Sequence, residues 1–351
     1  MSSSPVIYQN VNSGGIMKVP FSFLFTALLC VYPGLTQNIS AQETTLAHVP
    51  ISAEAIKIAE YPLKFDPELG VSWTRLGEGK LYQTELSLVE IPPGGQIPPS
   101  RHLSEEIIYI VSGEGYTEMW VRPDEKPRRY EWSTGDALSP SLNAWHQHVN
   151  SSSDTPARYV SMRSTPLSRN LFHDEEFLTG SEYVFEERWQ IGITQQAQYK
   201  GTGTMDLMAG HYIPDLPGRT LQAARGSFGI TTRPNGDFAG NRIMQLLVRE
   251  YQNDGLLPLD GHTHPWEVVY FVLEGEGATL LKKDNEPARI VNWEKGDMYI
   301  VEANEYHDNG GRIGADNQDN FPRIMQMRAS GYFFGVGNVG EEDHSAIDIS
   351  E

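Results

Sequence analysis

Cysteine is almost missing from this sequence. Its one copy, Cys30, lies in an N-terminal stretch that also lacks acidic residues: positions 1 to 42 hold no Asp or Glu and one basic residue, Lys18. The apolar run after Lys18, VPFSFLFTALLCVYPGL, is shorter than the ~20 residues a membrane-spanning helix needs. It has the length of a signal-peptide core behind a positive start, with cleavage expected near Ala41 or Gln42. A secreted or periplasmic protein is therefore expected, the alternative being a cytoplasmic one that keeps the segment as a buried helix or anchor. The leucines before Cys30 do not suit lipidation. With the segment removed no cysteine remains, which excludes disulfides, thiolate ligands and a cysteine nucleophile.

Basic residues are also in deficit. Twenty-seven Lys and Arg stand against 46 Asp and Glu, a net charge of −19. Phosphate backbones and anionic lipid surfaces repel such a chain, so nucleic acid and membrane are set aside as partners. A small-molecule substrate remains, and nothing in the pattern speaks against a homo-oligomer. Long helical periodicity is scarce as well, confined to short pieces such as SAEAIKIAE (52–60). Most of the chain reads as short strands between Gly, Pro and Asn/Asp turns, for example LYQTELSLVEI and VVYFVLEGEG, which argues for an all-β sandwich or barrel.

What the sequence does have is a duplication. RHLSEEIIYIVSGEG (101–115) aligns without a gap with HPWEVVYFVLEGEG and the residue before it (263–277), pairing His102 with His264 and Glu105 with Glu267. GDALSPSLNAWHQHVN (135–150) then matches GDMYIVEANEYHDNGG (296–311), pairing His146 with His307. PARYVSMR (156–163) matches FPRIMQMR (321–328). Three blocks in one order at nearly constant spacing mark two copies of one structural unit. The expected division is a leader over 1–42, an N-terminal domain over 43–170, a connection with outer strands over 171–240, and a C-terminal domain over 241–340.

Both copies resemble the cupin superfamily, small jelly-roll barrels that close two sheets on each other. The family's first motif, G-x5-H-x-H-x3-4-E-x6-G, is met in the first copy by Gly94, His102, Glu106 and Gly113, with Ser100 in place of the first histidine. In the second copy it is met by His262, His264 and Gly275, with Val268 where the glutamate belongs. The second motif is met by Gly135, His146 and Asn150, and by Gly296 and His307; its Pro and internal Gly are missing from both. The resemblance implies two tandem cupin β-barrels, a bicupin.

Strand parity sorts the candidate ligands. Residues i and i+2 share a face, so with His102 facing the interior Glu106 does too, and Glu105 faces away. Together with His146 this makes a two-histidine, one-carboxylate set suited to Fe(II) or Mn(II); the competing reading is a plain hydrogen bond between His102 and Glu106. In the second copy His262, His264 and His307 form a three-imidazole set. Glu267 has the wrong parity to join it unless a bulge intervenes. Fe(II) or Mn(II) is again expected, with Zn(II) behind them because no fourth ligand closes the site. Trp266 and Tyr270 share the face of His264 and are expected as aromatic pocket walls, with core packing as the bland alternative. Arg163 and Arg328 read as solvated strand ends ahead of substrate-carboxylate partners.

Three functions follow. The first is a metal-dependent, dioxygenase-like oxidoreductase acting on a small organic or aromatic acid, since the layout is similar to gentisate-type dioxygenases. The second is a Mn-dependent decarboxylase or oxidase of a small dicarboxylate, which the resemblance to bicupin oxalate enzymes implies. The third is a secreted, non-catalytic binding protein.

Overall fold

The computed structural model describes residues 51–335 apart from 53–54, 192–199, 202–205, 208–209, 220–221, 225–226, 232–237, 252–260 and 313–321. The expected leader, 1–42, lies outside the described residues. Seven strands of the first copy are β1 (Glu85–Ile91), β2 (Glu106–Ser112), β3 (Glu114–Trp120), β4 (Arg128–Ser133), β5 (Ala137–Leu138), β6 (Trp145–Asn150) and β7 (Ala157–Arg163). They recur as β8 (Gln245–Glu250), β9 (Val268–Glu274), β10 (Glu276–Lys282), β11 (Arg289–Glu294), β12 (Asp297–Val301), β13 (Tyr306–Arg312) and β14 (Arg323–Arg328).

Each copy divides its strands between two sheets in the same way. β5, β2, β7 and β1 lie side by side in one sheet and β6, β3 and β4 in the other; β12, β9, β14 and β8, and β13, β10 and β11, repeat the pattern. The fold is all-β with two jelly-roll barrels, as expected.

The apolar sequences EIIYIV and VVYFVL account for the centre of this arrangement. β-branched and aromatic side chains suit a pleated strand, and a strand that is apolar on both faces is buried on both. On β2, Ile108 and Ile110 fill the first barrel with Met119, Tyr130 and Trp132. Ile107 and Tyr109 point the other way, into a core that the two barrels share. On β9, Val268, Tyr270 and Val272 fill the second barrel, while Val269, Phe271 and Leu273 enter the shared core. The repeated Gly-Glu-Gly has two separate causes. Gly113 and Gly275 turn the chain at φ 91° and 79°, a region that favours glycine. Gly115 and Gly277 lie so close to the Trp132 and Trp293 rings that a Cβ would collide with them.

Two features differ from the sequence expectation. None of the described residues of SAEAIKIAE is helical. Ile51–Ser52 pairs in parallel with β11, and Ile56–Lys57 pairs antiparallel with β12. These residues come from the part of the chain expected to build the first barrel, yet they cover edges of the second, which would otherwise stay unpaired. In return, Tyr212–Ile213 from the connection pairs with β5 of the first barrel. Three helices follow β7, across the boundary expected between the N-terminal domain and the connection: α1 (Thr165–Phe172), α2 (Glu175–Gly180) and α3 (Glu186–Ile191). Local signals for two of them are present, Pro166 in the first turn of α1 and Asp174 as N-cap of α2, accepting from Phe177 N at 2.9 Å. Such caps are favoured because they satisfy otherwise unpaired amides.

The two barrels hold each other by a matched pair of buried carboxylates. Glu105 accepts from the main-chain N–H groups of Arg242 (2.8 Å), Ile243 (2.7 Å) and Met244 (2.8 Å), which lead into β8. It also pairs with Arg188 of α3 at 2.6 Å. Its counterpart Glu267 accepts from the N–H groups of Tyr82, Gln83 (2.9 Å) and Thr84 (3.2 Å), which lead into β1, and from the Thr84 hydroxyl at 3.0 Å. Burial lifts the Glu267 carboxyl above its usual range, and these donors pull it back. Three amides left without an acceptor in a buried place cost about 1 kcal/mol or more each. Glu267→Ala should therefore lower stability by about 3 kcal/mol in urea unfolding. Glu274→Ala, which removes an exposed pairing with Lys295, should cost under ~1 kcal/mol.

Candidate metal centres

The second barrel brings His262, His264 and His307 together. His262 and His307 exchange both main-chain hydrogen bonds at 3.0 Å, which lays the loop before β9 against β13. Asn304 N donates to the His264 carbonyl at 2.8 Å. The three rings stand 4.5 to 5.6 Å apart between centroids, and a ligand nitrogen from each lies within 4.8 Å of the others. His264 Nδ1 lies 2.8 Å from the Trp266 carbonyl and His307 Nδ1 lies 3.2 Å from that of Glu305. A carbonyl only accepts, so each Nδ1 carries the proton and each Nε2 keeps its lone pair. That is the tautomer a metal ligand needs. Burial, helped by Arg328 and His262, pushes His264 down to about 3. Burial and the neighbouring imidazoles push His307 down as well. Both are neutral at physiological pH, and the donor set fits a divalent cation.

Aromatic rings enclose this cluster. Trp266 stacks on His264 at 4.7 Å and 10°, while Tyr270 lies 6.2 Å from His307 and stacks on Tyr299 at 4.7 Å. Both rings are buried, so the faces expected from parity are the faces observed. Val268 fills the glutamate's place with a methyl surface, and Glu267 is turned to the other barrel.

The first barrel repeats the scaffold with different chemistry. His102 Nδ1 lies 2.9 Å from the Ser104 carbonyl and His146 Nδ1 lies 3.0 Å from that of Ala144, the same two contacts in the same places. Ser100 exchanges main-chain bonds with His146 at 3.0 and 2.9 Å, as His262 does with His307. Ser100 thus occupies the position of the third imidazole, and its hydroxyl lies 3.5 Å from His146 Nε2. Glu106 faces inward as expected, its Oε2 3.2 Å from His102 Nε2 and 3.6 Å from His146 Nε2. His102, Glu106 and His146 form a second group able to hold an ion.

Arg163 corrects the sequence reading. Its side chain stays partly exposed at the end of β7, yet the ladder sets it directly opposite Glu106, and its Nε donates to Glu106 Oε1 at 2.9 Å. Ser161 Oγ donates to the same oxygen. Burial alone would raise the Glu106 carboxyl, but Arg163 and the histidines outweigh it and hold the group well below its usual range. His148 was missed as well. It lies two residues beyond His146 on β6, buried, with Nδ1 2.7 Å from the Thr117 hydroxyl and its ring 5.5 Å from that of His146. The parity rule that chose His146 also selects it.

Residues 87–163 match the model of the cupin domain family. A gentisate 1,2-dioxygenase of a Haloferax species is 21% identical over 315 residues, which span 79% of this chain and 81% of that protein. Among solved structures, the formate complex of Lactobacillus farciminis oxalate decarboxylase aligns at a TM-score of 0.51 with 12% identity, over 80% of this chain and 87% of that one. A variant of Bacillus subtilis oxalate decarboxylase aligns at 0.50 with 12% identity, over 80% and 78%. The fold is thus that of the bicupins. Residues 87–163 carry the match to the cupin domain family, and the second barrel repeats their fold.

Buried histidines outside the clusters make the fold acid-sensitive. His211 is buried beside Tyr130 and Trp189, and burial pushes it down to about 4. The unfolded chain takes up a proton at about 6.5, so this histidine's contribution is complete above that value and is lost as pH falls towards 4. Between pH 7 and 5.5 the metal-free protein should lose about 1 kcal/mol through His211 alone. Urea unfolding at the two pH values should show a smaller difference for His211→Phe than for wild type.

Proposed function

We propose that the protein is a metal-dependent oxidoreductase of the dioxygenase kind, acting on a small aromatic hydroxy acid inside the second barrel. The observation that carries this reading is the convergence of three imidazoles, His262, His264 and His307. With no fourth protein ligand among the described residues, the imidazole donors suit an open Fe(II) or Mn(II) site better than a closed zinc site. A divalent ion held there would keep its full charge and supply Lewis-acid binding of substrate oxygens and, as iron, the redox chemistry of ring opening.

The protein's own part is visible in its side chains. The Trp266 and Glu305 carbonyls orient two of the imidazoles. Trp266, Tyr270 and Tyr299 are buried beside the cluster, where they keep water away and would flank a flat ligand body. Arg328 stands 5.8 Å over the Trp266 ring, so the surroundings favour an anion. The likeness to a gentisate 1,2-dioxygenase over most of both chains supports the same substrate class.

The alternatives, a Mn-dependent enzyme of a small dicarboxylate or a metal-clamped binding protein, lean on the first barrel. There Arg163 already supplies positive charge to Glu106, which weakens the case for an ion. Metal content should therefore be unequal between the barrels. His262→Ala or His307→Ala should each remove about one ion per chain, because a three-ligand set has no spare member, and His102→Ala should remove less. Glu267→Gln should leave the metal in place. Elemental analysis, with oxygen uptake measured on small aromatic hydroxy acids, checks both parts. Equal metal loss from the two barrels, or loaded protein that consumes no oxygen with any of these acids, would sink the proposal.

A further inference from the structure

The second barrel holds a cation that the first lacks. Along β8, Leu246 and Val248 enter the core shared by the barrels, so Gln245, Leu247 and Arg249 face the other way, into the barrel. The ladders fix the comparison between copies. β8 places Gln245 opposite Arg328 and Arg249 opposite Ile324, while β1 places Glu85 opposite Arg163 and Val89 opposite Tyr159. Arg249 therefore stands where the first barrel has Val89, a core residue packed with Ile108 and Ile110.

Arg249 differs from Arg328 in how it is held. Arg328 Nε donates to Gln245 Oε1 at 2.9 Å. Arg249 Nε is shielded from water and has no hydrogen-bond partner, and among the described residues no carboxylate lies within ion-pair distance of its guanidinium. Arg249 stands opposite Ile324, which packs with Trp266, Tyr270 and Tyr299, and Arg328 stands 5.8 Å over the Trp266 ring. The two arginines thus flank one cluster of rings. A guanidinium N–H in such a place is costly to leave without an acceptor, and an anionic oxygen would supply one. The guanidinium edge that includes Nε presents two parallel N–H bonds, a match for a carboxylate.

We propose that Arg249 binds the carboxylate of the second barrel's substrate and so selects aromatic acids over neutral aromatics of the same shape. This rests on the substrate class proposed above, but it is a different claim from chelation: the carboxylate goes to the protein, which leaves hydroxyl oxygens for the imidazole cluster. Arg249 is on this view a specificity-determining residue, and recognition of the acid survives removal of metal.

Metal-stripped wild type, Arg249→Met and Arg249→Lys, each checked for folding by circular dichroism, are titrated with benzoate and with benzyl alcohol by calorimetry. Wild type should prefer benzoate. Arg249→Met should lose benzoate affinity by about tenfold or more and keep its affinity for benzyl alcohol. Arg249→Lys should fall between, because a point charge replaces the fork, and it carries the test if the methionine variant does not fold. The proposal is overturned if metal-stripped wild type does not bind benzoate, or if the folded variants bind it as wild type does. Metal content and oxygen uptake of wild type are read separately. Arg249-dependent benzoate binding in a protein without metal or turnover defeats the oxidoreductase reading and leaves this assignment standing. Turnover of an aromatic hydroxy acid with an unchanged KM in Arg249→Met defeats this assignment and leaves the oxidoreductase reading standing.

Discussion

Two buried carboxylates, Glu105 and Glu267, set the terms for the rest of this molecule. Each belongs to the segment that carries its own barrel's ligands, and each is spent on amides that open a strand of the other barrel. A carboxylate that gathers three main-chain donors is held in place by the donors' shared geometry. The neighbouring position on the strand is then committed to the opposite face. Glu106 and Val268 point into their barrels because Glu105 and Glu267 point out of them. The ligand sets and the joint between the barrels are two faces of one strand.

The barrels share a main chain but not a charge pattern. In the first, Ser100 stands where an imidazole could and Arg163 neutralises Glu106, so the polar interior comes close to balance without an added ion. In the second there is no inward carboxylate on β9, and Arg249 and Arg328 extend from the neighbouring β8 and β14. The first interior pairs its arginine with a carboxylate; the second sets two arginines beside aromatic rings. The duplication kept the geometry and let the electrostatics diverge.

Much of this could be read from the residues. The aligned blocks contain both barrels, and a period of two was enough to place Glu106 inside, Glu267 outside, and Trp266 and Tyr270 against the histidines. What stayed hidden depends on contacts distant in sequence. Nothing near Glu267 announces that its partners are the amides of residues 82–84. Arg163 reads as a strand end until the β7 register sets it opposite Glu106. The helical pattern of SAEAIKIAE (52–60) gives way to pairing: the edges that Ile51–Ser52 and Ile56–Lys57 cover belong to β11 and β12, more than 200 positions away. The helices after β7 were passed over because each is a few residues long, too short for a periodic signal.

The strand exchange and the paired carboxylates have a consequence for descent. The Glu105 and Glu267 contacts answer each other, as do the Ile56–Lys57 and Tyr212–Ile213 pairings, which is the relation between the two subunits of an isologous pair. A single-barrel progenitor carrying one such glutamate and one such entering strand would satisfy both contacts by associating with a second copy of itself. Fusing the two genes turns that dimer into one chain and frees its halves from the requirement to be identical. A serine can then replace a histidine in one half, and an arginine a valine in the other, without disturbing the surface along which the halves meet.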